Sequence, residues 1–175
     1  MSNILITGVG SYLPNNIITN NELPENLNTS DEWIKKRTGI KQRHLVSEGE
    51  LTSTMAIAAS KKALQNANID SQEIDLIIVA TTTPDQTFPA TAVKVQSGLN
   101  INIGPAFDIQ AVCAGFIYAL NIGSSLLKTS DFSKALVIGS ESFSKILDWS
   151  DRSTSVLFGD GAGAFILEKT NKYSD

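Results

Sequence analysis

The sequence predicts an α/β domain of helices layered on a largely parallel sheet. Five short apolar, β-branched runs, at residues 4–7, 76–80, 106–109, 135–138 and 164–167, are each too short for an ordinary helix and are bounded by Gly, Pro, Asp or Ser. Helical patterns lie between several of them, and strands that alternate with helices argue for helices covering a sheet. At 175 residues the chain has the size of one domain with a real core.

The first run, 4–7, leads into Gly8-Val9-Gly10, which invites a dinucleotide-binding reading. The third glycine is absent and Pro14 stands where a helix should run, so the match is poor. Thr29-Ser30-Asp31-Glu32 then reads as a capping box, with Thr29 as the cap and Glu32 reaching back. Trp33 and Arg37 follow at i and i+4, on one helix face. Lys35, Lys36, Arg37, Lys41 and Arg43 put five of the fourteen basic residues in this stretch. A charge run is usually a solvated face, but one beside a Trp in an acidic chain points to an anion site with a stacking ring. His44, the only histidine, sits in the same polar stretch, and nothing local directs it towards a thiol.

The spacing of Met55, Ala59, Ala63 and Ala67 predicts a helix over 52–67. A second helix, 89–99, opens with Pro89 in a favourable first-turn position and carries Ala92, Val93, Gln96 and Leu99 on one side. Between the strand-like run 106–110 and an apolar helical run, 116–127, lies the only cysteine, Cys113. A thiol at a strand-to-helix turn sits near a helix N-terminus, whose partial positive charge favours thiolate. Ala111, Ala114 and Gly115 leave room for a carbonyl to approach it. The competing reading is a buried cysteine serving as a small hydrophobe, and position alone does not separate the two. The run 116–127 is apolar almost all round, which predicts a central, buried helix. Gly159-Asp160-Gly161-Ala162-Gly163-Ala164 lacks the Lys-Ser/Thr of a phosphate-binding loop and leads into a strand, so turns and close packing explain it better. A polar tail, residues 168–175, is expected after the last strand.

Composition is ordinary, 42% hydrophobic and 18% charged, and a net charge of −4 argues against general nucleic-acid affinity. One cysteine cannot form an internal disulfide, and no Cys/His pattern supports a metal site. The N-terminus lacks the basic region and long apolar core of a signal peptide. No apolar run is expected to reach the ~20 residues of a membrane span. A reducing, cytoplasmic setting is the expectation.

Together these segments resemble the β-ketoacyl-acyl carrier protein synthase III family, the initiating condensing enzymes of type II fatty acid synthesis. The resemblance runs through Gly8-Val9-Gly10-Ser11-Tyr12-Leu13-Pro14, Thr29-Ser30-Asp31-Glu32-Trp33-Ile34 and Arg37-Thr38-Gly39-Ile40. It continues through Thr81-Thr82-Thr83, Phe88-Pro89-Ala90, the stretch from Asp108 to Phe116, and Phe158-Gly159-Asp160-Gly161-Ala162-Gly163-Ala164. It implies a thiolase-like α/β fold: one βαβαβ-type half with a five-stranded mixed sheet covered by helices. In the family two such halves pack as a pseudo-dimer, and two chains form a homodimer. Residues 1–175 would then be the N-terminal half with the nucleophilic cysteine. The C-terminal half, with the family's catalytic His and Asn, is absent from this chain, and His44 matches a surface histidine that does not replace them. A fragment of a normal-length enzyme is expected over a natural half that pairs with a separate partner.

The resemblance also implies site residues. Cys113 matches the nucleophile that takes an acyl group, commonly acetyl, from coenzyme A, before a carbanion from decarboxylating malonyl-acyl carrier protein attacks the thioester. Two backbone N–H groups near the helix start are able to stabilise the oxyanion, and the resemblance implies that the second oxyanion-hole amide comes from the missing half. Trp33 matches the ring that stacks on the adenine, Arg152 the residue on its other face, Arg37 a phosphate contact, and Thr29 a wall of the nucleotide groove. Phe88 matches a residue that crosses the dimer interface, and Thr82, Phe143 and Phe158 are candidates for the acyl pocket. The coenzyme A thioester is a substrate; neither a cofactor nor a metal is expected, and neither is a nucleic-acid or membrane partner. The alternatives are another thiolase-fold acyl-coenzyme A condensing enzyme, such as a secondary-metabolite synthase or 3-hydroxy-3-methylglutaryl-coenzyme A synthase, and a non-catalytic acyl-coenzyme A binding subunit.

Overall fold

A computed structural model describes residues 3–170 of the chain. In chain order the elements are β1 (Asn3–Tyr12), β2 (Asn16–Thr19), α1 (Asp31–Thr38), β3 (Gln42–Leu45), α2 (Thr52–Ala67), β4 (Leu76–Ala80) and α3 (Thr91–Gly98). They continue as β5 (Ala106–Ile109), α4 (Gly115–Thr129), β6 (Lys134–Ser142), α5 (Arg152–Ser155) and β7 (Asp160–Thr170). All five predicted strands form, and the α2 boundaries are those read from its four-residue alanine spacing.

The main sheet has the order β1-β7-β6-β4-β5, and β2 and β3 make a separate antiparallel pair. β4 runs parallel to β5 and β6, whereas β7 runs antiparallel to β6 and to β1. The sheet is therefore mixed rather than largely parallel. A parallel return needs a crossover that lies back along the sheet, usually a helix. Between β6 and β7 the chain offers only a 3-10 turn and the four-residue α5.

Helices cover both faces. On one, α2 and α3 press Ala59, Ala63, Ala92 and Val95 onto Ile77, Val79, Leu136 and Ile166. The alanines keep α2 close to the sheet, and Gly8 and Gly10 of β1 complete the fit. A Cβ on Gly8 would stand 2.4 Å from the Ala63 carbonyl oxygen, and one on Gly10 would stand 2.2 Å from that of Ala59. Both glycines thus lie inside a strand and serve packing, as the poor dinucleotide match suggested.

On the other face α4 seats Ala119 and Leu127 against Leu76, Ile78 and Val137. Its far side is open: Ile117 is 62% and Tyr118 55% exposed. The expected all-round burial is not realised, because only one helix face meets the sheet among the described residues. The continuous helical stretch Val112–Thr129, 18 residues at mean hydropathy 1.2, also has the length and composition of a membrane span, contrary to expectation. Its seat on β4 and β6 makes it a sheet-packed helix.

A smaller cluster, Leu23, Leu27, Ile34 and Val156 with Trp33 and Trp149 against it, anchors α1 and α5 beside the β2–β3 pair. At the end of the chain, β7 takes in Glu168, Lys169 and Thr170, so the expected tail is strand to that point. Residues 171–175 of the tail, like residues 1–2, lie outside the described residues.

Candidate functional site

Cys113 is a free, exposed thiol in a 3-10 turn, Val112–Ala114, between the end of β5 and the first turn of α4. The structure thus removes the buried-hydrophobe reading. The turn is tight: Val112 holds φ at +48°, a left-handed conformation that a β-branched side chain disfavours. The Ala114 amide donates to the Ala111 carbonyl at 3.1 Å and that of Gly115 to the Val112 carbonyl. Two of the amides nearest the thiol are therefore already engaged, which corrects the expectation of two free donors at the helix start.

Two cavities meet at the thiol. One, of about 380 Å³, is bounded by Leu13, Ala80, Phe116, Glu141 and Ala162 as well as Cys113. The other, of about 190 Å³, is lined by Val112, Cys113, Glu141, Phe143, Phe158 and Gly159. The Phe143 and Phe158 rings stack at 4.5 Å between centroids, 24° from parallel, and form an apolar wall. Buried Asp160, two residues after Phe158, accepts from the amides of Ser144 (2.8 Å), next to Phe143, and of Val46 (2.7 Å). Glu141, common to both cavities, accepts from the Thr82 amide at 2.7 Å and from the Thr83 hydroxyl. Thr82 is thereby tied to the site through its backbone, while its hydroxyl is buried without a partner. Neither Glu141 nor Asp160 was singled out from the sequence. Asp160 stands in the glycine-rich motif, which the sequence explains by turns and close packing with no separate part for the carboxylate.

The second site lies around Trp33. The helix cap is Ser30, one residue later than expected: its hydroxyl accepts from the Trp33 amide at 3.1 Å. Thr29 sits just outside α1 with its hydroxyl buried and unpartnered. Arg37 stands over the Trp33 ring, guanidinium carbon 4.2 Å from the centroid, and Arg152 from α5 reaches the same ring at 5.1 Å. The ring and both cations thus come together across 119 residues of chain, an arrangement suited to a planar, anionic ligand. Arg152 is steadied by donating to the Asn28 carbonyl at 3.0 Å.

The rest of the basic cluster divides. Lys35 pairs with Asp31 at 2.6 Å, Lys36 and Lys41 are exposed, and Arg43 is buried, so it does not belong to a surface patch. His44 Nδ1 lies 2.6 Å from the Pro14 carbonyl oxygen and lines neither cavity at Cys113. Phe88 is 81% exposed in the segment between β4 and α3, an unusual position for a Phe without a covering surface.

Residues 107–175 match the family model for 3-oxoacyl-[acyl-carrier-protein (ACP)] synthase III. The chain is 59% identical over 164 residues to the beta-ketoacyl-[acyl-carrier-protein] synthase III of Bradyrhizobium diazoefficiens, covering 94% of this chain and 50% of that protein. It is 59% identical over 172 residues to the one from Ehrlichia canis, covering 98% of this chain and 54% of that protein. The crystal structure of 3-oxoacyl-[acyl-carrier-protein] synthase III from Aquifex aeolicus VF5 superposes with a TM-score of 0.94 at 50% identity, over 99% of this chain and 56% of that one. The chain therefore spans about half the length of the curated relatives it matches. The mixed five-stranded sheet with helices on both faces is thiolase-like, as the sequence resemblance implied.

Proposed function

We propose that this chain is the N-terminal half of a β-ketoacyl-[acyl-carrier-protein] synthase III, the family it matches along nearly all of its own length, and that it carries the acyl-loading chemistry of that enzyme. The observation that carries this reading is the exposed Cys113 thiol at the meeting point of two cavities, at the start of α4. In the loading step the thiolate attacks the carbonyl of acetyl-coenzyme A or another acyl-coenzyme A. A C–S bond forms, the electron pair passes through an oxyanion, and coenzyme A leaves as its thiolate. With the amides of Ala114 and Gly115 engaged, the turn offers the N–H of Cys113 itself to the oxyanion, and a second donor comes from the missing half. The Phe143–Phe158 wall accommodates the acyl group. Trp33, Arg37 and Arg152 take the nucleotide end of the donor, with Thr29 beside them.

The complete enzyme would then condense the acyl group with malonyl-acyl carrier protein, using His and Asn from the other half. It would work in the cytoplasm as a homodimer in which exposed Phe88 meets the partner subunit, and would require no cofactor. The test is the intact mass of the protein after incubation with acetyl-coenzyme A. A single acetyl adduct, lost in Cys113→Ala, is the expected result. An adduct that survives in Cys113→Ala would show that Cys113 is not the nucleophile, and a full-length wild type that binds the donor without loading would identify a binding subunit.

A further inference from the structure

We infer that Arg43 and Asn20 form a positioning pair that sets the distance between Trp33 and Arg152, and with it the affinity for the nucleotide end of the acyl donor; this deepens the proposed function and rests on it. Arg43 and Asn20 are both only 4% exposed. Arg43 Nη2 donates to Asn20 Oδ1 at 2.9 Å and to the Val156 carbonyl at 3.1 Å, and Nη1 makes a longer contact, 3.5 Å, to the Ile18 carbonyl. Val156 closes α5, the short helix that opens with Arg152. Asn20 Nδ2 in turn donates to Asp31 Oδ1 at 2.9 Å and to the Ile40 carbonyl at 2.8 Å. Those two residues bracket α1, which carries Trp33 and Arg37. Two buried side chains thus link both ends of one ligand-facing helix to the end of the other.

The chemistry of the pair is what stability alone would avoid. A buried guanidinium is costly unless a carboxylate or several good acceptors compensate it. Among the described residues Arg43 finds only neutral acceptors, and its Nε has no partner. An apolar residue would fill the volume at less cost. It could not bridge α1 and α5 through hydrogen bonds; apart from this pair the two helices meet in a small apolar cluster and in the Arg152–Trp33 ring contact whose spacing is at issue. The planar fork of an arginine meets two acceptors in fixed directions, which a lysine cannot do.

The experiment measures acetyl loading of Cys113 in the full-length protein with two donors, acetyl-coenzyme A and acetyl-pantetheine. The second lacks the nucleotide and does not reach Trp33. In Arg43→Lys the acetyl-coenzyme A concentration for half-maximal loading should rise roughly tenfold, the scale of one charge-assisted hydrogen bond, with loading from acetyl-pantetheine unchanged. If both donors suffer alike, or neither does, the pair is merely structural and the inference is overturned. Asn20→Asp covers the case in which Arg43→Lys fails to fold. It gives the guanidinium a counter-charge while placing a like charge against Asp31, and the same donor-selective shift is expected; its absence overturns the inference. Trp33→Ala separates the two levels of the argument. If it leaves half-saturation by acetyl-coenzyme A unchanged, the nucleotide site is misassigned and the inference falls with it. If it raises that value while Arg43→Lys and Asn20→Asp do not, only the inference falls.

Discussion

At the thiol, the backbone conformation is set by neighbouring residues in the same turn. Val112 keeps a left-handed φ of +48° one residue before Cys113, and a β-branched residue there carries conformational strain. Val112→Gly relieves that strain and sacrifices a side chain that is largely exposed. Its greater unfolded-state freedom offsets part of the gain, which leaves a net stabilisation of about 1 kcal/mol. Denaturant unfolding of the two proteins measures this, and a destabilised variant would show that the turn is relaxed as it stands. None of this was visible in the sequence, because Val-Cys-Ala carries no turn signature. What was legible was the location of the thiol between a strand and a helix, since strand and helix periodicities end on either side of it. The partition of the basic cluster was not legible either. Arg43 differs from Arg37 only in falling at a strand position that points under α5, and a count of charges along the chain does not register that.

Among the elements, carboxylates fix how helices meet the sheet near the site. Asp108 of β5 accepts from the Thr91 and Ala92 amides, both at 2.7 Å, and so caps α3. Asp85 accepts from the Ser53 amide at the start of α2 (3.1 Å) and from Lys94 of α3 (3.1 Å). Burial pushes the Asp85 carboxyl up, but the hydrogen bonds from Ser53 and Lys94 outweigh it and hold the group below its ordinary value. A carboxyl lowered in the folded state contributes stability that is complete above its unfolded pKa, about 3.9, and is lost as pH falls through the folded value. Wild type should therefore exceed Asp85→Asn in stability near neutrality and converge with it as pH drops below about 4. Thermal unfolding across pH 6 to 3 tests this, and a constant gap over that range would contradict it. The α2 position was legible because alanine spacing is a local signal; α3 instead begins at Thr91 after an Ala90 cap, so Pro89 stands ahead of the helix and not in its first turn. The Ser30 cap was missed by one residue because Thr29 and Ser30 are both competent caps, and the packing of Ile34 beneath α1 decides between them. The sheet's mixed order was hidden from periodicity, which reports faces and not strand direction.

On the scale of the molecule, the open side of α4 dominates. Val112, Ile117, Tyr118 and Ile122 make an apolar strip on one helix, and apolar exposure of this kind favours association. The isolated 175-residue chain should elute above its monomer mass in size-exclusion chromatography, and Ile117→Lys should shift it towards monomer. Because Ile117 points away from the sheet, its replacement should alter the unfolding midpoint little, by less than about 0.5 kcal/mol in free energy. A wild-type chain that runs as a monomer would refute the prediction. The pairing of β1 with β7, Asn3 opposite Thr170, has a further consequence for biosynthesis. The residues of β1 leave the ribosome about 150 residues ahead of those of β7, which at ordinary translation speeds is roughly 8–30 s. For that interval an apolar edge waits without its ladder, so slowing the ribosome between these strands should increase the protein's dependence on chaperones.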